Sequence, residues 1–181
     1  MILVAVVLLS ALAVPLAGGR LGALADVRFR RVWAILAACG LAVLATELPG
    51  LPDGARSLLL VAAYPVGAVF LAANWRVPGM PLAALGAALN LLAIAANGGV
   101  MPASPAALER AGLPVDGPGF QSSAAVADPR LAFLGDVFAV PAGWPLSNVF
   151  SVGDVLIAVG LAWGVHRICG SRLVPGWPRP G

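Results

Sequence analysis

The segment SLLLVAAYPVGAVFLAA, Ser57–Ala73, decides the class of this chain. Its seventeen residues carry no charge. At ~1.5 Å rise per residue a helix of that length covers about 25 Å, most of a ~30 Å hydrocarbon layer. Four further apolar stretches flank it: Ile2–Ala17, Val32–Leu48, Pro81–Ala96 and Val149–Ile168. The pattern predicts an all-α polytopic transmembrane bundle of five spans. The chain reads as a single membrane domain over residues 1–181, with residues 97–148 as an external loop that caps the bundle and contains a short helix.

Composition agrees. Of the 181 residues 60% are hydrophobic and 10% charged, with a mean hydropathy of +0.95, whereas a soluble domain carries about 25% charged residues. A water-soluble fold of this size has too much surface to hide so many apolar side chains. Every cation is arginine. The pI near 9.7 is accounted for by where those arginines fall, and nucleic acid is not an expected partner.

Their distribution sets the expected orientation. Arg20, Arg28, Arg30 and Arg31 follow the first span, Arg76 follows the third, and Arg167, Arg172 and Arg179 follow the fifth. These eight stand against Asp26 alone, a net +7. The other side sets Arg56, Arg110 and Arg130 against seven acids, Glu47, Asp53, Glu109, Asp116, Asp128, Asp136 and Asp154, a net −4. Arginine excess marks the cytoplasmic side, so the N-terminus is expected outside and the C-terminus in the cytoplasm. The first stretch lacks a basic leader and has its arginines after it, so it reads as a true span rather than a cleaved signal.

The two cysteines, Cys39 within the second span and Cys169 at the end of the fifth, read as unpaired small hydrophobes. Leu21, Leu24 and Val27 in the first basic linker suit either a membrane-surface segment or a solvated loop. Pro49–Gly54 reads as a tight turn, and Trp75 beside Arg76 as an interfacial anchor. Pro65 is expected to kink the third span. Within the spans the polar residues are few. Asn90 is expected to bond across to a neighbouring helix, a contribution of about 0.6–2 kcal/mol. Gly160 and Gly164, four apart, permit close helix approach, in internal packing or in a dimer.

No span carries an ionisable group at its centre, which disfavours an ion-driven pump. The sole histidine, His166, sits at the end of the fifth span, where a cation complements the helix dipole. A Ser-His-Asp hydrolase or a histidine zinc site in the external loop is therefore not expected. No phosphate-loop or dinucleotide fingerprint occurs. Neither a cofactor nor a metal is called for.

The external segment is longer than a connection requires. Asn97-Gly98-Gly99 leaves the fourth span with glycines suited to left-handed turns. Ser104 to Gly112 reads as a complete short helix, with Ser104 as N-cap, Pro105 in the first turn and Gly112 closing it. Residues 113–129 read as the most mobile stretch. Leu131–Val140 is apolar but too short to span, which suggests an interfacial or re-entrant segment. Ser147 or Ser151 is placed to cap the fifth helix, with Asp154 in its first turns where a carboxylate is favoured.

Two parts of this loop resemble the signature of an uncharacterised family of small bacterial integral membrane proteins, a domain-of-unknown-function family. They are Asn97-Gly98-Gly99 with Met101-Pro102 and Ser104, and Leu134-Gly135-Asp136 with Pro145-Leu146-Ser147-Asn148-Val149-Phe150-Ser151-Val152-Gly153-Asp154. The resemblance implies an integral protein of the bacterial inner membrane and brings no activity with it. Val100 stands where that pattern suggests a polar or basic residue, so no charge-dependent role is expected there.

The candidate polar cluster is Asn97, Gly98, Gly99, Ser104, Asp136, Ser147, Asn148, Ser151 and Asp154. The leading expectation is a non-enzymatic binding protein using its external cap, in contact with membrane lipids and with a partner protein or a second copy. A membrane-embedded enzyme using Asp136 and Asp154 as a carboxylate pair, and a passive channel, are the alternatives.

Overall fold

The computed structural model describes residues 2–115 and 123–174. Asp116, Arg179 and the middle of the 113–129 stretch, all named above, lie outside the described residues.

Among the described residues six α-helices predominate: α1 Ile2–Leu16, α2 Val32–Glu47, α3 Asp53–Ala73, α4 Met80–Ala96, α5 Pro105–Ala111 and α6 Val152–Ile168. Runs of Ala and Leu favour helix over strand, and α1 and α3 stay helical through Pro15 and Pro65. Spatially the five long helices form an open row in the order α2, α3, α4, α6, α1. The tightest seam is between α4 and α6, and it is made of glycine. A Cβ on Gly160 would lie 2.8 Å from Gly79 O and 2.9 Å from Ala83 N. One on Gly164 would meet the Pro78 carbonyl, and one on Gly86 would lie 2.9 Å from Ile157 Cγ1. The Gly160/Gly164 spacing thus serves packing within the chain.

Backbone links gather the arginine-bearing segments at one end of the row. Arg20 N donates to Cys169 O (2.9 Å) and Arg172 N to Ala17 O (3.0 Å). Asn74, buried at the end of α3, accepts from Arg30 N (2.9 Å) and donates to Arg30 O and Phe70 O (2.8 Å each). Phe29 packs on Phe70 at the same end. Cys39 and Cys169 are both free.

Several expectations change at the other end. The fold is mostly helical, but not all-α: two small two-stranded sheets stand where the loop was expected to be helical or irregular. β1 Met101–Pro102 pairs in parallel with β2 Ser123–Ala124, and β3 Asp136–Val140 pairs antiparallel with β4 Asn148–Ser151. The apolar run Leu131–Val140 forms a 3-10 turn at Ala132–Leu134 and then β3, which pairs with β4. Because Val149–Ser151 belongs to β4, the last long helix starts at Val152 rather than Val149. At the start of α3 the helix takes in Asp53–Arg56 ahead of the predicted Ser57.

The cap packs through two apolar clusters. α5 lays Ala107, Leu108 and Ala111 against Val149 and Ala139 of the hairpin. Met101 and Leu134 plug the end of α4 at Ala93 and Ile94, beside Val61 and Tyr64 of α3. Pro105 sits in the first turn of α5 and Gly112 closes it at φ 69°. Ser104 holds the N-cap position, but its side chain makes no capping bond.

Among the described residues one helix, Gly54–Ala73 (20 residues, mean hydropathy 1.7), is long and apolar enough to cross a membrane by itself. Leu3–Leu16, Val32–Glu47 and Met80–Ala96 are shorter apolar helices.

Candidate functional site

The polar centre of the molecule lies where the β3–β4 hairpin turns into α6. Ser151 ends β4 in extended conformation (φ −100°, ψ 170°) and is the N-cap of α6. Its Oγ accepts from Asp154 N (3.0 Å), while Ser151 N donates to Asp154 Oδ2 (3.1 Å). This reciprocal capping box satisfies two backbone N–H groups that the first turn leaves free. Asn90 of α4 completes it. Its Nδ2 donates to Asp154 Oδ1 (2.9 Å), and its Oδ1 accepts from Ser151 Oγ (2.8 Å). Ser151 is 0% and Asn90 6% exposed. Gly153 makes the contact possible, since a Cβ there would overlap the Asn90 amide oxygen and lie 2.6 Å from Gly86 O.

Asp136 joins this centre through the backbone. It is buried and stands opposite Ser151 in the β3–β4 register. Asp136 O accepts from Ser104 N (3.0 Å), and a parallel bridge links it to Ala103. Tyr64 of α3 lies within electrostatic reach of both Asp154 and Asp136. Ser104, Asp136, Ser151 and Asp154 from the predicted cluster are thus brought together. Asn90 and Tyr64, which the cluster omitted, belong with them. The only signal for those two in the sequence was a lone amide and a lone phenol in otherwise apolar helices.

The remaining members are placed elsewhere. Asn97 ends α4, donating from Nδ2 to Ala93 O (2.7 Å) and Arg130 O (2.8 Å) and accepting from Arg130 N (2.9 Å). It repeats what Asn74 does for Arg30 at the opposite end of the row. Gly98 and Gly99 follow at φ 68° and 93°. Gly99 N reaches Ile94 O (2.9 Å), and a Cβ on Gly99 would press 3.1 Å from Ser57 Cβ. Ser147 Oγ donates to Ala111 O, tying the hairpin turn to α5. Asn148 pairs with Val140 at that same far end.

Chemically the centre is a clasp. Both oxygens of the Asp154 carboxylate accept hydrogen bonds, and the Ser151 hydroxyl is committed to Asn90. No group of three or more His, Cys, Asp or Glu side chains arranged for a metal ion occurs among the described residues. Asn97→Ala should remove about 1 kcal/mol and release the Arg130 segment. Limited proteolysis should then cut near Arg130 several times faster, with the β3–β4 hairpin still protected.

These features define a mostly helical protein whose polar clasp joins a small cap to the α4–α6 pair. A family model matches residues 26–166, described as a family of unknown function (DUF5317). The chain belongs to that family. It is also 30% identical over 106 residues to an uncharacterised protein of Thermotoga maritima, covering 59% of this chain. The chain matches 61% of that relative's length. No solved structure matches.

Proposed function

We propose that the chain is an integral protein of a bacterial cytoplasmic membrane, with all five long helices embedded, the N-terminus outside and the C-terminus in the cytoplasm. The observation that carries this reading is the belt of large apolar side chains facing outward around the row. Leu12 (66% exposed), Leu36 (66%) and Leu58 (69%) belong to it, with Leu85 and Leu92 of α4 and Val155, Val159 and Trp163 of α6. Water penalises such a surface, and a lipid phase accepts it. Only 11% of the α3 window is buried within the molecule. The arginine-rich segments at one end of the row fit the cytoplasmic face. α1, α2, α4 and α6, at 15–17 residues, cover about 22–26 Å, a shortfall that local bilayer thinning accommodates at modest cost.

The role that fits best is binding rather than catalysis. Asp154 is held in the clasp by Asn90 and Ser151, which favours a structural over an acid–base use. The cap meanwhile presents exposed Phe133, Phe138, Trp144 and Leu146, side chains suited to a partner protein or a second copy. Topology is tested by reporter fusions. A cytoplasm-only reporter should be active at the C-terminus and silent after Trp144. The reverse pattern would overturn the orientation, and release of the native protein by alkaline washing of membranes would overturn the membrane reading.

A further inference from the structure

We infer that the chain binds an anionic phospholipid from the cytoplasmic leaflet, its phosphate in an arginine pocket and an acyl chain in a groove across α2, α3 and α4. This rests on the membrane reading above. The groove is a cavity of about 670 Å³, lined mainly by Ala and Leu side chains of those helices, with Gly67 and Ala38 among the lining residues. From Ile35 to Thr46, both on its α2 wall, the helix rises about 16 Å, close to half of a ~30 Å hydrocarbon layer. The depth suits a chain from one leaflet.

Trp75 lines the groove and also lines a second cavity, of about 490 Å³, with Arg28, Arg30, Asn74 and Arg76. The apolar trough therefore shares Trp75 as a wall with a site of three cations. Their side chains are exposed, and among the described residues none has a carboxylate partner. Arg76 lies over the Trp75 ring at 5.4 Å. Asn74 fixes the Arg30 backbone through both its N–H and its C=O, so the segment that carries this cation is anchored at the site.

Charge selects the occupant. A second copy of this chain would bring its own arginines to the same end and be repelled, whereas a lipid phosphate complements all three guanidinium groups. A basic pocket between helices on the cytoplasmic side is suited to anionic head groups. Asn74 acts as a positioning residue here.

The test is native mass spectrometry of the full chain in mild detergent, titrated with dioleoyl phosphatidylglycerol, dioleoyl phosphatidylcholine, dihexanoyl phosphatidylglycerol or inorganic phosphate. At about fivefold per arginine, the long-chain anionic lipid should bind on the order of a hundredfold more tightly than the zwitterionic one. The exposed-site variant Arg28→Gln/Arg30→Gln/Arg76→Gln should abolish that preference. Ala63→Phe, which fills the groove, should weaken both long-chain lipids. If Ala63→Phe loses its fold, the dihexanoyl lipid, binding far more weakly than the dioleoyl one, replaces it as the measure of the groove. Equal binding of the two long-chain lipids, or preference retained in the arginine variant, would overturn the inference. So would displacement of the lipid by equimolar phosphate, which would mark a free-anion site. Alkaline washing separates the two failures. Protein that stays in the membrane without lipid preference refutes only this inference, and protein that washes off refutes the membrane reading itself.

Discussion

Gly153→Ala is expected to be the most damaging single methyl in the molecule, costing about 3 kcal/mol or more. The added carbon would occupy the space of the Asn90 amide oxygen and crowd Gly86 O at 2.6 Å. Backbone lines the other side of the contact, so relief requires α4 and α6 to separate. That separation also breaks the Asn90 bonds to Ser151 and Asp154. The matched control is Gly40→Ala in α2, where a Cβ meets nothing within 4 Å. There the better helix propensity of alanine should leave stability unchanged or slightly raised. Thermal unfolding in detergent decides the matter, and a Gly153→Ala variant that melts with the control would remove the glycine seam as a source of stability.

Asn90→Leu should cost about 3 kcal/mol, above the range expected for an isolated interhelical bond, because two partners lose their bonds at once. Leucine leaves the Ser151 hydroxyl, fully buried, without its acceptor and removes the donor to the Asp154 carboxylate. Asp154→Asn should cost less, since its backbone cap with Ser151 survives in weakened form. The coupling of the pair should fall between about 0.5 and 3 kcal/mol in a double-mutant cycle. Additive single-variant effects would show that Asn90 and Asp154 contribute independently, contrary to the clasp.

The positions of the helices were legible because Ala- and Leu-rich segments between Pro, Gly and Arg breaks dictate helix locally. The same holds for α5, whose Pro105 and Gly112 are local signals, and for the Gly160/Gly164 spacing. The strands were not legible. β1 and β2 are two residues each, and β3 mixes a buried acid with apolar residues in no strict alternation. Their pairing is set by tertiary contact rather than by any local period. Ser151 and Asp154 were placed correctly as a helix start, since a cap is a four-residue device. Their third partner, Asn90, is 61 residues from Ser151 and 64 from Asp154, a pairing that local reasoning cannot reach.

The distance along the chain between Asn90 and its partners also sets an order of events during synthesis. A ribosome adding 5–20 residues per second makes α4 roughly 3–13 s before Asp154 exists. Through that interval the α4 amide has no native acceptor or donor, while α2 and α3, adjacent in sequence, are already able to pair. The whole cap must then be laid down before α6 can dock. Closure of the clasp thus waits until the cap has been made, and a nascent chain stalled before Val152 would carry a complete α2–α3 hairpin beside an α4 still waiting for its lock.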